Sequence, residues 1–308
     1  VGNRGEVPRG AHGAFVWLML VVALAASNAF GGFALTVEND CLTGSDDSYT
    51  HGTELAWFHN ETNHVAFEGL RSRIYTPKDI SVAENQPGDR PWCGVTTVFM
   101  EKGFGGGLDR YRWGLEMGVL GPSSKAAEQQ KWFHELIGGK EPMGWGNQMA
   151  DEPVLNVYAD VWREVLGCGI SGDWTATVDA LGGGVVGTMR VDTYVGAGAR
   201  AGWNVPSFWP GGIDPKVVRA RWFSYGLVEC KGRLVAHNAT LGHSLFRDYD
   251  GDHKVSVEST VGEAKYGLCG GWGDFSLVYL RAWRTDEFEG QDDSTDWGEV
   301  RLTFGRAY

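Results

Sequence analysis

Proline is scarce in this sequence, at 10 of 308 residues, and the five cysteines are few and scattered. Cys41, Cys93, Cys168, Cys230 and Cys269 are odd in number and widely spaced, so they make neither a disulfide framework nor a C-x-x-C metal pair. One or two bridges outside the cytoplasm stay compatible with them. Basic residues are also in deficit: 27 Lys and Arg face 39 Asp and Glu, giving a net charge of −12. That speaks against a nucleic-acid binder, which needs a basic surface. Long apolar runs are almost missing. The one present, Ala14–Ala26, has thirteen residues, short of the ~20 that a membrane-spanning helix takes.

Glycine is abundant instead: 46 residues, about 15% against roughly 7% in average chains. Together with 12% aromatic residues, this argues against a helical bundle, a collagen and a disordered tail. It suits a β protein with many turns and aromatic faces. The length allows two ordinary domains or one large barrel or sandwich. Arg4 and Arg9 precede the apolar run, and Ala25-Ala26-Ser27-Asn28-Ala29 follows it. A basic start, an apolar middle and small residues at the end predict a secretory signal peptide over residues 1–29, with 30–308 as the exported domain. An N-terminal anchor helix is the competing reading of that run.

Downstream, the pattern alternates. Tyr111, Trp113, Leu115, Met117 and Val119 share one parity, and Arg110, Arg112, Gly114, Glu116 and Gly118 the other. Leu155, Val157, Ala159 and Val161 alternate with Asn156, Tyr158 and Asp160. A period of two marks strands. Such strands fit a soluble sandwich, or an outer-membrane barrel whose apolar face meets lipid and whose polar face lines the lumen. Segments of ~10–14 residues match tilted membrane strands. They follow an export signal, and the last runs to an aromatic residue, Tyr308. The expected fold is therefore all-β: an antiparallel up-and-down transmembrane barrel of about twelve strands with one loop helix. Thirteen segments are strand-like, the last three at 255–270, 273–286 and 295–308. A closed bacterial barrel takes an even number, so 217–227 and 228–240 are read as one strand.

One stretch breaks the alternation. Gly121-Pro122-Ser123-Ser124 leads into Lys125–Ile137 and then Gly138-Gly139, which predicts a helix near 124–138. Gln130 and His134, four residues apart, share a face of it. Phe133 and Ile137 lie nearby, placed to pack against the barrel.

None of the eight histidines lies in H-E-x-x-H, and Gly242-His243-Ser244-Leu245-Phe246 lacks the last glycine of a G-x-S-x-G elbow. Asp248, Asp250 and Asp252 imitate the start of an EF-hand, but His253 occupies the glycine position and the run reads as a solvated loop. Glu38-Asn39-Asp40 and Asp46-Asp47-Ser48-Tyr49-Thr50 gather carboxylate, amide and hydroxyl oxygens at one rim. These are hard donors of the kind Ca²⁺ takes. A metal-free turn rich in Asp and Ser is the alternative.

The runs of this chain, taken in order, resemble the lipid A 3′-O-deacylase family of outer-membrane barrels. The resemblance rests on Glu38-Asn39-Asp40, Ser48-Tyr49-Thr50-His51-Gly52, Ile74-Tyr75-Thr76-Pro77 and Gly88-Asp89-Arg90-Pro91-Trp92. It continues in Gly118-Val119-Leu120-Gly121-Pro122, Gln130, His134, Gly144-Trp145, Glu152-Pro153 and Glu287-Phe288-Glu289-Gly290-Gln291. It implies a twelve-stranded barrel with its active site on the extracellular side, between the wall and a loop helix. The implied activity is calcium-dependent hydrolysis of 3′-linked acyl esters of lipid A, by a monomer among outer-membrane lipids. The family's catalytic histidine falls on His134, its glutamine on Gln130, its Asn-Asp pair on Asn39 and Asp40, and its threonine on Thr50. Asp40 and Asn39 are the implied calcium ligands.

The chain departs from the family at three points. A family lysine falls near Ile80–Val82, where this chain has none and Lys78 is the nearest. His51 stands where a small polar residue is usual, and Cys93 where a small residue is usual. The residue types still allow a mechanism. A histidine titrates in the range needed to take a proton from water, and a bound cation polarises an ester carbonyl. Gln130 could orient water or substrate, and Asn39 and Thr50 could fix the metal shell or the oxyanion. Two other functions remain open: a non-catalytic pore or structural barrel, and a serine-type barrel phospholipase.

Overall fold

A computed structural model describes residues 31–40, 48–60, 64–205, 208–209, 212–213, 222–251 and 253–305. The expected signal peptide, Cys41, Asp46, Asp47, Asp252 and Tyr308 lie outside the described residues, as do the side chains of Thr50 and Ile137.

Twelve strands close into one antiparallel barrel. They are β1 (Gly32–Asn39), β2 (Ser48–Asn60), β3 (His64–Thr76), β4 (Cys93–Gly106), β5 (Asp109–Leu120) and β6 (Glu152–Ser171), followed by β7 (Trp174–Gly187), β8 (Arg190–Trp203), β9 (Phe223–Asn238), β10 (Thr260–Trp272), β11 (Phe275–Arg284) and β12 (Thr295–Gly305). Each pairs with its neighbours in sequence, and β12 returns to β1 in register from Gly32↔Gly305 to Asn39↔Gly298. Closure satisfies every strand edge, the condition for crossing a bilayer with strands. A two-stranded pairing of Phe208–Trp209 with Gly212–Ile213 lies in the β8–β9 connection.

The sequence alternation becomes two surfaces. One parity points outward, leaving Trp113, Met117, Val157, Val195 and Leu268 exposed. The other fills the lumen with paired charges. Arg71 contacts Glu54 at 2.6 Å and Glu101 at 3.1 Å. Arg112 contacts Asp160 at 2.5 Å, Arg284 contacts Glu263 at 3.0 Å, and Lys265 contacts Glu299 at 3.2 Å. Charges withdrawn from bulk water are costly alone and tolerable when paired, which explains why so many of opposite sign meet here. A cavity of about 330 Å³ remains among them.

The connections at 61–63, 107–108, 172–173 and 273–274 are short, with 204–222 a long exception at that end, and those at 77–92, 121–151, 239–259 and 285–294 gather at the opposite end with the short 188–189. Bacterial barrels keep short turns on the periplasmic side and long loops outside, so the second end is extracellular. The fusion of 217–240 into one strand holds for the described part, 223–238. The expected start of β10 at 255 does not hold. Residues 255–259 leave the wall, Val257 bridges Phe288, and Val255 packs with Leu241 and Phe288. Their apolar character serves loop packing there rather than a lipid face. The helix also starts later than Pro122 and Ser123 suggest. Pro122–Ser124 form a single 3-10 turn, and the helix proper, α1, is Ala126–Ile137.

Candidate functional site

The helix lies on the outside of the barrel, against the extracellular part of β3 and β4. Outward residues of these strands face each other in rows, Ile74 with Gly94 and Ser72 with Thr96. Ser72 Oγ donates to Gln129 Oε1 at 2.8 Å, and Thr96 Oγ1 donates to the Ser124 carbonyl at 2.8 Å. A side chain on Gly94 would place its Cβ 2.1 Å from that of Ala126, so the close seat of the helix requires glycine. Ile74, Ile80, Trp92, Ala126 and Trp145 form the apolar cluster beneath the first turn.

This seat buries the Gln130/His134 face, leaving these side chains 2% and 6% exposed, while Glu135 and Leu136 face away. The helix ends on Gly138, whose φ of 72° is left-handed, a conformation that glycine adopts without strain. The chain then doubles back, and the Lys140 carbonyl meets His134 Nδ1 at 2.6 Å. A carbonyl only accepts, so Nδ1 carries a proton, and in the neutral ring Nε2 is the nitrogen with the lone pair.

Gln130 is fixed with equal clarity. The Trp145 indole donates to Gln130 Oε1 at 2.7 Å. Indole N–H is a donor only, which settles the amide orientation. Gln130 Nε2 is left buried with no hydrogen-bond partner among the described residues. Such a donor costs stability unless something accepts from it.

The end of β1 approaches the same place. Asn39 and Asp40 are almost wholly buried. Asn39 Nδ2 lies 3.3 Å from His51 Nδ1, and His51 Nε2 lies 2.6 Å from Thr53 Oγ1. The His51 ring packs on Phe133 with centroids 5.3 Å apart, and it lies within electrostatic range of His134. His51, a departure at the sequence level, thus joins the Asn-Asp rim to the helix. The structure brings together Asn39, His51, Phe133 and His134, with Asp40 next to Asn39 and Gln130 one turn from His134. Thr50 sits on β2 beside His51.

Lys78 is placed elsewhere. Its Nζ contacts Asp293 at 2.6 Å on the β11–β12 loop. Cys93 is buried in a cluster with Val95 and Leu120, which absorbs its extra volume. Ser244 Oγ donates to Glu152 at 2.8 Å and accepts from the amides of Phe246 and Arg247. Its hydroxyl is engaged in a turn with a carboxylate, not with a histidine.

Among the described residues no three His, Cys, Asp or Glu side chains converge as a metal cluster. The rim does fit a hard divalent cation in its donor chemistry, since the Asp40 carboxylate and the Asn39 amide are both buried oxygen donors.

A family model described as outer membrane protein LpxR matches residues 14–305. The chain belongs to the LpxR family of outer-membrane proteins. LpxR from Salmonella typhimurium has the same fold, with a TM-score of 0.76 at 21% identity, covering 89% of this chain and 99% of that one. The β domain of the Bordetella autotransporter BrkA aligns with a TM-score of 0.43 at 12% identity, over 90% of this chain and 99% of that one. No curated protein sequence matches the chain.

Three features of this LpxR-family site escape reading from sequence. Trp145 lies in a recognisable run, but nothing local shows that its indole reaches Gln130. The Lys140 carbonyl has no side-chain signature at all. His51 is visible as an oddity, and its partnership with Asn39 depends on the pairing of β1 with β2.

Proposed function

We propose that this LpxR-family barrel hydrolyses ester-linked acyl chains of lipid A, at the 3′ position, with His134 as general base. The observation that carries this reading is the Nδ1–Lys140 carbonyl contact, made where the helix seats against the outward face of β3 and β4. An imidazole held by its Nδ1 proton presents Nε2 to water, and Nε2 takes the proton as the hydroxide attacks the ester. Gln130 Nε2, a buried donor with no partner among the described residues, suits the developing oxyanion or the attacking water. Asn39 and Asp40 would hold Ca²⁺, which supplies Lewis-acid polarisation of the carbonyl when bound. Position outside the barrel matters: a substrate anchored in the bilayer reaches the crevice at this seat sideways and need not enter the lumen.

The alternatives have less support. An open pore needs a clear lumen, and this one is narrowed by charges paired between neighbouring strands, with a cavity of about 330 Å³ among them. A serine enzyme needs a histidine at its hydroxyl, and Ser244 has a glutamate. The test is mass spectrometry of lipid A from cells producing the wild type or His134→Asn. The expected result is loss of one acyl substituent with the wild type only. Unmodified lipid A from cells with a correctly inserted wild type would leave the non-catalytic barrel as the better reading.

A further inference from the structure

The outward rows of β2–β5 do not end at the helix. Below the Ser72–Thr96 row that seats α1, the next row is Leu70, Val98 and Met117, and the one after it brings Trp57, Met100 and Leu115 to the same face, with Glu68 between Trp57 and Met100. These side chains border a mainly apolar groove of about 480 Å³ on the outer wall. The row after that is different. His59, Ala66, Lys102 and Trp113 stand there, with His59 3.6 Å from Glu68. The groove therefore lies one row below the helix seat and ends where Glu68, His59 and Lys102 bring polar groups to the wall. From the Ser72 row to the Ala66 row are six residues, roughly 20 Å at about 3.3 Å per residue.

We propose that this groove is the seat of the acyl chain whose ester bond lies at His134. The inference rests on the deacylase reading and adds where the chain goes and what limits its length. Three features commit the groove to a lipid A chain. It lies on the outward face of a membrane barrel and its lining is mainly apolar, so its occupant is an alkyl chain. It is continuous with the crevice: the same strands that seat α1 through Ser72 and Thr96 continue into Leu70 and Val98. Its far end carries Glu68, His59 and Lys102, which disfavours a chain reaching past the Ala66–Lys102 row on that side. A lipid hanging from the crevice would lay its chain along these rows, held by dispersion and by exclusion of competing lipid.

Two measurements test this. In the first, a photo-crosslinking benzoyl-phenylalanine replaces Met100 or, as control, Leu268, an exposed lipid-facing residue six strands away around the barrel. Both proteins are irradiated in bilayers of lipid A and phosphatidylethanolamine. The groove predicts lipid A adducts at least several-fold enriched at position 100 over position 268. Equal capture, or capture of phosphatidylethanolamine alone, would show an ordinary lipid-facing surface and overturn it. In the second, Val98→Trp with Leu115→Trp fills the groove without touching the crevice. Removal of the long chain from lipid A is expected to fall at least tenfold, while hydrolysis of p-nitrophenyl butyrate stays at the wild-type rate. Unchanged lipid A turnover in the folded double variant would refute the proposal. If that variant fails to insert, Leu70→Phe is read in its place. A wild type inactive on lipid A would sink the deacylase reading, and the crosslinking result would still decide whether the groove binds its chain.

Discussion

His134 owes its hydrogen-bonded position to a backbone reversal. Gly138 lets the helix end in a left-handed residue, and the returning chain offers a carbonyl to Nδ1. Replacing His134 with Ala or Asn should lower deacylation by roughly 10²–10⁴-fold. The barrel should still show heat-modifiable gel mobility, because the helix lies outside the strand ladder. Trp145→Phe keeps the packing on Trp92 but removes the donor to Gln130. A neutral hydrogen bond is worth about 1 kcal/mol, so the amide should lose its fixed orientation and kcat should fall several-fold with KM little changed. An equal fall in KM and thermal stability would mark Trp145 as packing only. Asp40→Asn keeps the shape of the rim and removes its charge. The calcium concentration giving half-maximal activity should rise at least tenfold, and excess chelator should abolish wild-type activity. Full activity in chelator removes the metal from the mechanism.

At the scale of elements, α1 is a weak helix made stable by its seat. Twelve residues are marginal for a helix on its own in water, and Lys125 gives no side-chain cap. Two side-chain hydrogen bonds and one apolar cluster hold it to β3 and β4. Gly94→Val should therefore lift the helix rather than unfold the barrel, since the new Cβ meets Ala126 and Ser124. The expected outcome is loss of deacylation with unchanged gel mobility and faster hydrogen exchange confined to residues 122–140. Ser72→Ala removes one hydrogen bond and should cost only about 0.5–1.5 kcal/mol. Loss of the barrel in either variant would show that the helix is part of the folding core.

Across the whole molecule, the extracellular loops brace one another. Met143 N–H donates to the Ile80 carbonyl, Met149 N–H to the Trp92 carbonyl, and Ala150 N–H to the Tyr249 hydroxyl. Arg90 reaches Glu287 at 3.3 Å, and Arg284 reaches it at 3.2 Å. Burial alone would raise the Glu287 carboxyl, but Arg284, Arg90 and Arg190 outweigh it and hold the group below the usual glutamate range. A carboxylate depressed in the folded state gives stability that is present above its unfolded value, near pH 4.3, and lost as pH falls through the folded one. Hydrogen exchange of residues 285–294 should therefore be slow at neutral pH and quicken below about pH 4. Glu287→Gln should be quick at neutral pH and lose that pH step. An identical profile in wild type and variant would place the acid-sensitive lock elsewhere.

Much of the architecture was legible in the chain. A period of two, with Arg112 and Glu116 opposite Trp113 and Met117, can be satisfied in a membrane only by a closed barrel, because strand edges cannot be left in lipid. Gln130 and His134 share a face at any helical seat, since their spacing fixes it. Residues 255–259 read as strand because local apolar content cannot distinguish lipid contact from loop packing against Phe288. The tertiary structure alone decided that the helix rides on the outer wall, that Trp145 orients Gln130, and that His51 ties Asn39 to Phe133. It also decided which nitrogen of His134 is protonated. The physical reason is range. Periodicity and capping act between residues a few positions apart, whereas these contacts join residues brought together only when the barrel closes and the loop folds over its side.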